Sequence, residues 1–113
     1  MKKVDRISVQ ELREMSAKMY GDLVKAVVDI ARADLVVDME MHVDGEQFLL
    51  ENGSQQADLW GINLYPDVFG SDDFIEFDSM INIRPRAKNF SRGVEDVKIQ
   101  QKIRQIVKEK IHE

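Results

Sequence analysis

The sequence predicts an α+β fold: an antiparallel four-stranded sheet with helices packed on one face, in the order α-β-β-α-β-β-α. Three observations carry that expectation. Residues 75–84 alternate, with Ile75, Phe77, Ser79, Ile81 and Ile83 on one side and Glu76, Asp78, Met80, Asn82 and Arg84 on the other, the period of a strand with one buried face. Apolar residues from Leu23 to Met41 repeat the same period. Two stretches at the ends, from Ser8 and from Asp96, carry helix caps followed by apolar residues at helical spacing.

In order along the chain, residues 1–7 read as a loose basic start, and Ser8-Val9-Gln10-Glu11 fits a capping box with Ile7 and Leu12 as its hydrophobic staple. Leu12, Met15, Ser16 and Met19 follow helical spacing, and Gly21 suits the left-handed residue after a helix. Val24, Ala26, Val28 and Ile30 share one face of a strand. Leu35, Val37, Met39 and Met41 form the next buried row, opposite Val36, Asp38, Glu40 and His42. The link Ala31–Asp34 lacks the Gly or Asn of a tight hairpin, so a continuous helix through 22–36 is the alternative; the valine content favours strands.

Asp44-Gly45-Glu46-Gln47 opens a short helix carrying Phe48, Leu49 and Leu50, and Asn52-Gly53 ends it. Trp60, Ile62 and Leu64 share a strand face, with Gly61 marking a bulge or a close backbone contact. Pro66 to Asp73 is a long acidic connection. After Pro85 comes a loop to Gly93. Asp96 then caps a final helix lined by Ile99, Ile103, Ile106, Val107 and Ile111.

The runs LLENGSQQADLWGINLY (49–65), IEFDSMINIRP (75–85) and RGVED (92–96) together resemble a family of small uncharacterised prokaryotic proteins, a domain of unknown function. The resemblance covers most of the chain and implies a small prokaryotic single-domain protein. It brings no activity, substrate or catalytic residue.

A chain of 113 residues with 43% hydrophobic and 33% charged residues reads as one soluble domain, residues 1–113. The absence of cysteine excludes disulfides, thiolate nucleophiles and cysteine-ligated metal centres. With no apolar run of membrane-spanning length and no signal-peptide segment, the expectation is a cytoplasmic protein with no membrane partner. The net charge of −5 hides a division: residues 33–83 carry twelve Asp/Glu and no Lys or Arg, whereas residues 84–113 carry nine Lys/Arg and four Asp/Glu. The simplest consequence is that the basic C-terminal segment lies against the acidic middle of the same molecule. A second copy is the other place to find that match.

Three sites follow from residue types. Asp38, Glu40 and His42, with Glu76 and Asp78, form polar rows whose members sit roughly 6.5–7 Å apart along a strand, and carboxylates with an imidazole suit a divalent cation able to activate water. Arg84, Arg86, Lys88 and Arg92, with Phe90 for stacking, form an acid-free loop before a helix N-terminus and suit a phosphate or RNA. Against nucleic acid stand the acidic overall charge, Glu95 and Asp96 at that helix start, and the lack of any recognition motif. Asp67, Ser71, Asp72 and Asp73 lack the EF-hand spacing and read as turn formers. No nucleophile elbow, phosphate-binding loop or dinucleotide fingerprint is present, and His42 and His112 are the only histidines. A buried Ser79 reads as a packed hydroxyl. The sequence-level expectation is a non-enzymatic binding or interaction module, with a homodimer or protein partner. The alternatives are a metal-dependent enzyme on the acidic sheet face and phosphate or RNA binding through residues 84–92.

Overall fold

The computed structural model describes residues 1–113. Its elements are β1 (Lys2–Val4), β2 (Ile7–Ser8), α1 (Val9–Lys18), β3 (Val24–Asp29), β4 (Asp34–Val37), α2 (His42–Glu51), β5 (Leu59–Leu64), β6 (Ile75–Glu76), α3 (Val97–Lys110) and β7 (Ile111–His112). The α+β class holds, but the sheet has five strands, in the order β1-β4-β3-β5-β6, with every pairing antiparallel. The added strand is the basic start, which the sequence left as a loose end: Lys2 to Val4 pair with Val37 to Leu35. Lysines on this edge strand discourage pairing with another sheet. A second, two-residue parallel pair joins β2 to β7, tying the start of α1 to the end of α3.

Helices cover both faces of the sheet, which corrects the expectation of a single covered face. The larger core joins Val24, Ala26, Val28, Leu35, Val37, Trp60, Ile62 and Leu64 to Leu12 of α1 and to Ile103, Ile106 and Val107 of α3. The register explains the cluster, since Ala26 lies opposite both Val37 and Ile62. On the other face a smaller core of Val27, Val36, Met39, Leu49 and Leu59 packs against α2. A Cβ on Gly45 would lie 2.6 Å from the Met39 sulfur, so this glycine lets α2 sit close to the sheet.

The local signals of α1 and α3 are realised. Ser8 Oγ accepts from the Glu11 N–H at 3.1 Å, and Glu11 Oε2 accepts from the Ser8 N–H at 3.2 Å. Asp96 Oδ1 accepts from the Lys98 N–H at 2.8 Å. Residues 24–37 form two strands, and their turn is built by the buried Asp29, whose Oδ1 accepts from the N–H groups of Ala31 and Arg32. Ala33 takes the left-handed position that a glycine would favour, at φ 56°, and the Asp29 carboxylate steadies the turn.

Two expected strands end early. β4 stops at Val37 because Asp38 adopts a positive φ of 69°. Beyond it Met39 enters the smaller core, Met41 is exposed, and His42 begins α2, so the row Leu35, Val37, Met39, Met41 does not share a face. β6 likewise stops at Glu76, and Met80–Asn82 forms a 3-10 turn capped by Ser79. Ile75 and Phe77 belong to the larger core, whereas Ile81 packs on the smaller one and Ile83 is exposed. The expected one-faced strand 75–84 is therefore a segment that crosses from one side of the sheet to the other.

Its crossing is held by Asn82. Gly61 on β5 faces the place that a longer β6 would have filled. Instead, Asn82 Oδ1 accepts from the Gly61 N–H at 2.8 Å and Asn82 Nδ2 donates to the Gly61 carbonyl at 3.0 Å. Nδ2 also donates to the Arg92 carbonyl at 2.9 Å. One carboxamide thus supplies the donor and acceptor of an absent strand. Gly61 is a close-contact position, as its spacing suggested: a Cβ there would lie 2.5 Å from Ser79 Oγ. Asn82→Ala is expected to destabilise the fold by about 2–4 kcal/mol, because it strands both buried backbone groups of Gly61. Urea unfolding checks this, and a loss comparable to that of an exposed Asn→Ala control would contradict it.

Candidate functional site

The sheet face under α2 is only partly apolar. Lys25 and Asn63 lie directly opposite each other on β3 and β5, and Asn63 lies opposite Glu76 on β6. Side chains on one face of paired strands are neighbours, so the register places these three polar residues in one row. The N-terminus of α2 ends above the row, and the segment 78–81 walls its open side. Lys25, His42, Asn63, Asp78, Ser79 and Arg92, with Met41, Val43, Met80 and Ile81, enclose a cleft of about 240 Å³. That is room for about eight waters.

His42 is the first residue of α2, and its ring is buried, with Nε2 donating to the Ile62 carbonyl at 2.8 Å. A carbonyl only accepts, so the neutral imidazole carries its proton on Nε2 and leaves Nδ1 as an acceptor. Burial lowers the His42 pKa below 6.5. The Ile62 carbonyl opposes that shift, Lys25 adds to it, and Asn63 and Asp78 oppose it. Asn63 is 6% exposed and donates Nδ2 to Glu76 Oε1 at 2.9 Å and to the Asp78 carbonyl at 3.3 Å. Both partners are acceptors, which fixes the amide orientation, and Asn63 Oδ1 is left buried without a partner. Ser79 is buried and its Oγ accepts from the Ile81 N–H at 3.3 Å, the backbone-bonded hydroxyl that its position suggested. Arg92 Nε reaches Asp78 Oδ1 at 2.5 Å.

Met80, 64% exposed, separates this cleft from a second, larger groove. The groove has a volume of about 670 Å³, with Met80, Ile81, Ile83 and Pro85 as apolar walls and Glu46 and Arg84 among its polar lining. The Arg84 guanidinium stacks over the Trp60 ring, 4.8 Å from its centroid, donates Nη2 to the Leu59 carbonyl and stands 3.6 Å from Glu46 Oε2.

The expected metal ligands are not brought together, and no group of three or more His, Asp or Glu side chains in the molecule is arranged to hold an ion. Asp38 turns away with the end of β4 and faces the N-terminal ammonium at 3.8 Å. Glu40 is exposed, His42 lies in the cleft, Glu76 accepts from Asn63 and from Tyr65 Oη, and Asp78 pairs with Arg92. The phenol of Tyr65 is pushed up to about 12 by burial first and then by this bond to Glu76.

The basic loop is likewise divided. Arg84 points into the protein, Arg92 is paired, and Arg86 and Lys88 alone face solvent unpaired. The backbone donors that an incoming anion would use are taken: Glu95 Oε2 accepts from the N–H groups of Phe90 and Ser91 at 2.6 and 2.9 Å, and these bonds lower its pKa. In the acidic loop, Asp67 pairs with Arg13, and Ser71 bonds to the Val68 carbonyl and the Asp73 N–H. Its polar residues serve the turn. His112 sits on β7 at the far end of the chain, bonded to the Glu113 carbonyl.

Sequence reasoning missed Lys25, Asn63 and Glu46 as site residues. Only the alternation of Lys25 and Asn63 against apolar neighbours hinted that they share the face under α2.

Residues 3–110 match the model of a family described as a protein of unknown function, DUF5674. The chain belongs to this family. No curated protein and no solved structure matches it. No helix is long and apolar enough to cross a membrane.

Below pH 6.5 the unfolded chain takes up the His42 proton, while the folded chain resists it because the ring is buried. Protons therefore favour unfolding. Stability is expected to fall as pH drops from 6.5 toward the lowered folded value and to level off beneath it, with His42→Gln removing that part of the slope. Denaturant titrations across this range check the sign; parallel curves for the two proteins would contradict it.

Proposed function

We propose that the chain is a binding module whose ligand is a small anion-bearing molecule with a hydroxyl or amine next to the anionic group, seated in the cleft beneath the α2 N-terminus. The observation that carries this reading is the enclosed, unpartnered Asn63 Oδ1, an acceptor in need of a donor, in the same cleft as His42. The cationic side supports it. Lys25 lines the cleft as its one cation without a carboxylate partner, Arg92 being paired with Asp78, and the first N–H groups of a helix have no intrahelical partners. The N-cap residue is Met41, whose side chain makes no cap hydrogen bond; the Asp44 N–H bonds to the Met41 carbonyl at 3.0 Å, and the His42 and Val43 N–H groups are left for a ligand. A pocket with a few convergent polar groups and one titratable residue of shifted pKa is the usual form of a small-molecule site. Binding is the whole of this reading, without a catalytic step. A cytoplasmic location, where phosphorylated and carboxylated small molecules are at hand, goes with it.

Self-association is a second reading, favoured by the exposure of Met41, Val43, Met80 and Ile83 along the cleft and the groove. A dimer held by the segregated charges weakens at high salt. One closed over the Met80 ridge persists at high salt and is dissolved by Met80→Asp, and sedimentation velocity separates the two.

Titration with glycerol 1-phosphate, followed by amide shifts, tests the first reading. Shifts at Val43 and Asn63 that saturate, and that disappear in Lys25→Ala, are expected. A ligand held at ten times its Kd should stabilise the fold by about 1.4 kcal/mol. Shifts confined to Arg86 and Lys88, or none, would sink it.

A further inference from the structure

Five buried side-chain polar atoms in the molecule have no hydrogen-bond partner, and four of them gather at one place: Glu46 Oε2, Trp60 Nε1, Arg84 Nε and Arg84 Nη1. Buried polar groups are nearly always paired, so a concentration of orphans marks a place where something else completes the bonding. The ion pair itself does not do so. Arg84 Nη2 and Glu46 Oε2 stand 3.6 Å apart, beyond hydrogen-bond reach, although both side chains are about nine-tenths buried, at 12% and 10% exposure. Burial holds the Arg84 pKa down, and the Glu46 and Asp58 carboxylates only offset that. The guanidinium cannot turn to seek partners, because it is stacked on Trp60 and its Nη2 is held by the Leu59 carbonyl.

The same two side chains line the larger groove, whose remaining walls are mostly apolar, Met80, Ile81, Ile83 and Pro85 among them. Fixed donors beside a fixed acceptor, under apolar walls, select for a planar group that presents an acceptor and a donor side by side.

We propose that this groove is a second binding site, for a planar lactam edge, a ring carbonyl next to a ring N–H, as carried by uracil and guanine. The carbonyl oxygen accepts from Arg84 Nη1, the ring N–H donates to Glu46 Oε2, and the ring faces lie against Ile81, Ile83 and Pro85. The orphaned atoms are buried, so the entering edge displaces the exposed Met80 side chain toward solvent. This inference goes beyond the anion cleft and shares no polar residue with it.

The test uses nucleosides without any phosphate, so its outcome is independent of the cleft. Saturation-transfer NMR and calorimetry are run on the full chain with uridine, guanosine, 3-methyluridine and 2-pyridone. Saturable binding of uridine or guanosine is expected, with 3-methyluridine, which lacks the ring N–H, weaker by about tenfold or more. Ile83→Asp, at an exposed wall, should abolish binding while Lys25→Ala leaves it unchanged. If 2-pyridone binds with the affinity of uridine, the bare lactam edge is what the site reads; if uridine or guanosine binds tighter, the sugar-bearing base is. Glu46→Met probes the acceptor directly; should it fail to fold, the uridine and 3-methyluridine pair decides without any variant. No saturation by any probe would mean that solvent alone fills the orphaned positions, and equal affinity for uridine and 3-methyluridine would mean that Glu46 is not read. Either result overturns the proposal.

Discussion

The Asn82 carboxamide bonded to Gly61 is the constraint from which the cleft and the groove derive. A sheet edge has unpaired N–H and C=O groups that must be covered, paired or exposed. β6 covers β5 only opposite Asn63 and Leu64. At Gly61 a side chain does what a strand would have done, which frees the chain after Glu76 to leave the sheet. The departing segment brings Ser79 onto Gly61, places Met80 outward and carries Arg84 back over Trp60. Both the cleft and the groove are bounded by this one detour.

A second asparagine holds the return. Asn89 Nδ2 donates to the carbonyls of Asn82 and Gly93 at 2.7 and 2.8 Å, and its Oδ1 accepts from the Glu95 N–H at 2.9 Å. Two fully used, buried carboxamides therefore fix a loop that has little regular structure of its own. Such networks are worth most when every member is satisfied. The contrast with the neighbouring face is instructive. Asn82 and Asn89 leave no atom unpaired, whereas Asn63, Glu46, Trp60 and Arg84 each leave at least one. The first pair builds the scaffold, and the second group keeps buried polar atoms without partners.

The charge division of the sequence resolves differently from its simplest reading. The acidic middle does meet cations of its own chain, but they come from the N-terminal region and from residues 84–92. Asp34 pairs with Lys3 and Arg32, Asp67 with Arg13, Glu46 with Arg84 and Asp78 with Arg92. No lysine of α3 takes part, and Arg104 instead lies over the Phe77 ring. The Glu46–Arg84 pair is buried; the other pairs are more exposed and add little stability, so their effect is on where charge remains at the surface. The outer side of α3 stays basic, and the cleft and the groove keep a mixed lining of both charge signs.

The sequence by itself determined the parts whose energetics are local. The Ser8–Glu11 box, the Asp96 cap, the apolar stripe of α3 and the shared faces of Val24, Ala26 and Val28 or Trp60, Ile62 and Leu64 depend on neighbours within a few residues. The close contact at Gly61 was legible for the same reason, since a missing Cβ has few uses in a strand. Only the tertiary structure decided where β4 and β6 stop, that α2 covers the opposite face, and that Lys2 to Val4 add a fifth strand. Alternation specifies which residues share a side but not which strand, if any, lies alongside. At Asp38 a positive φ ended the period, and at Asn82 a side chain replaced the partner. The expected metal row failed at the first of these points, and the cleft became possible at the second. Lys25, His42 and Asn63 meet because of pairing register and helix placement, which are settled by contacts between residues from twenty to nearly forty positions apart in sequence.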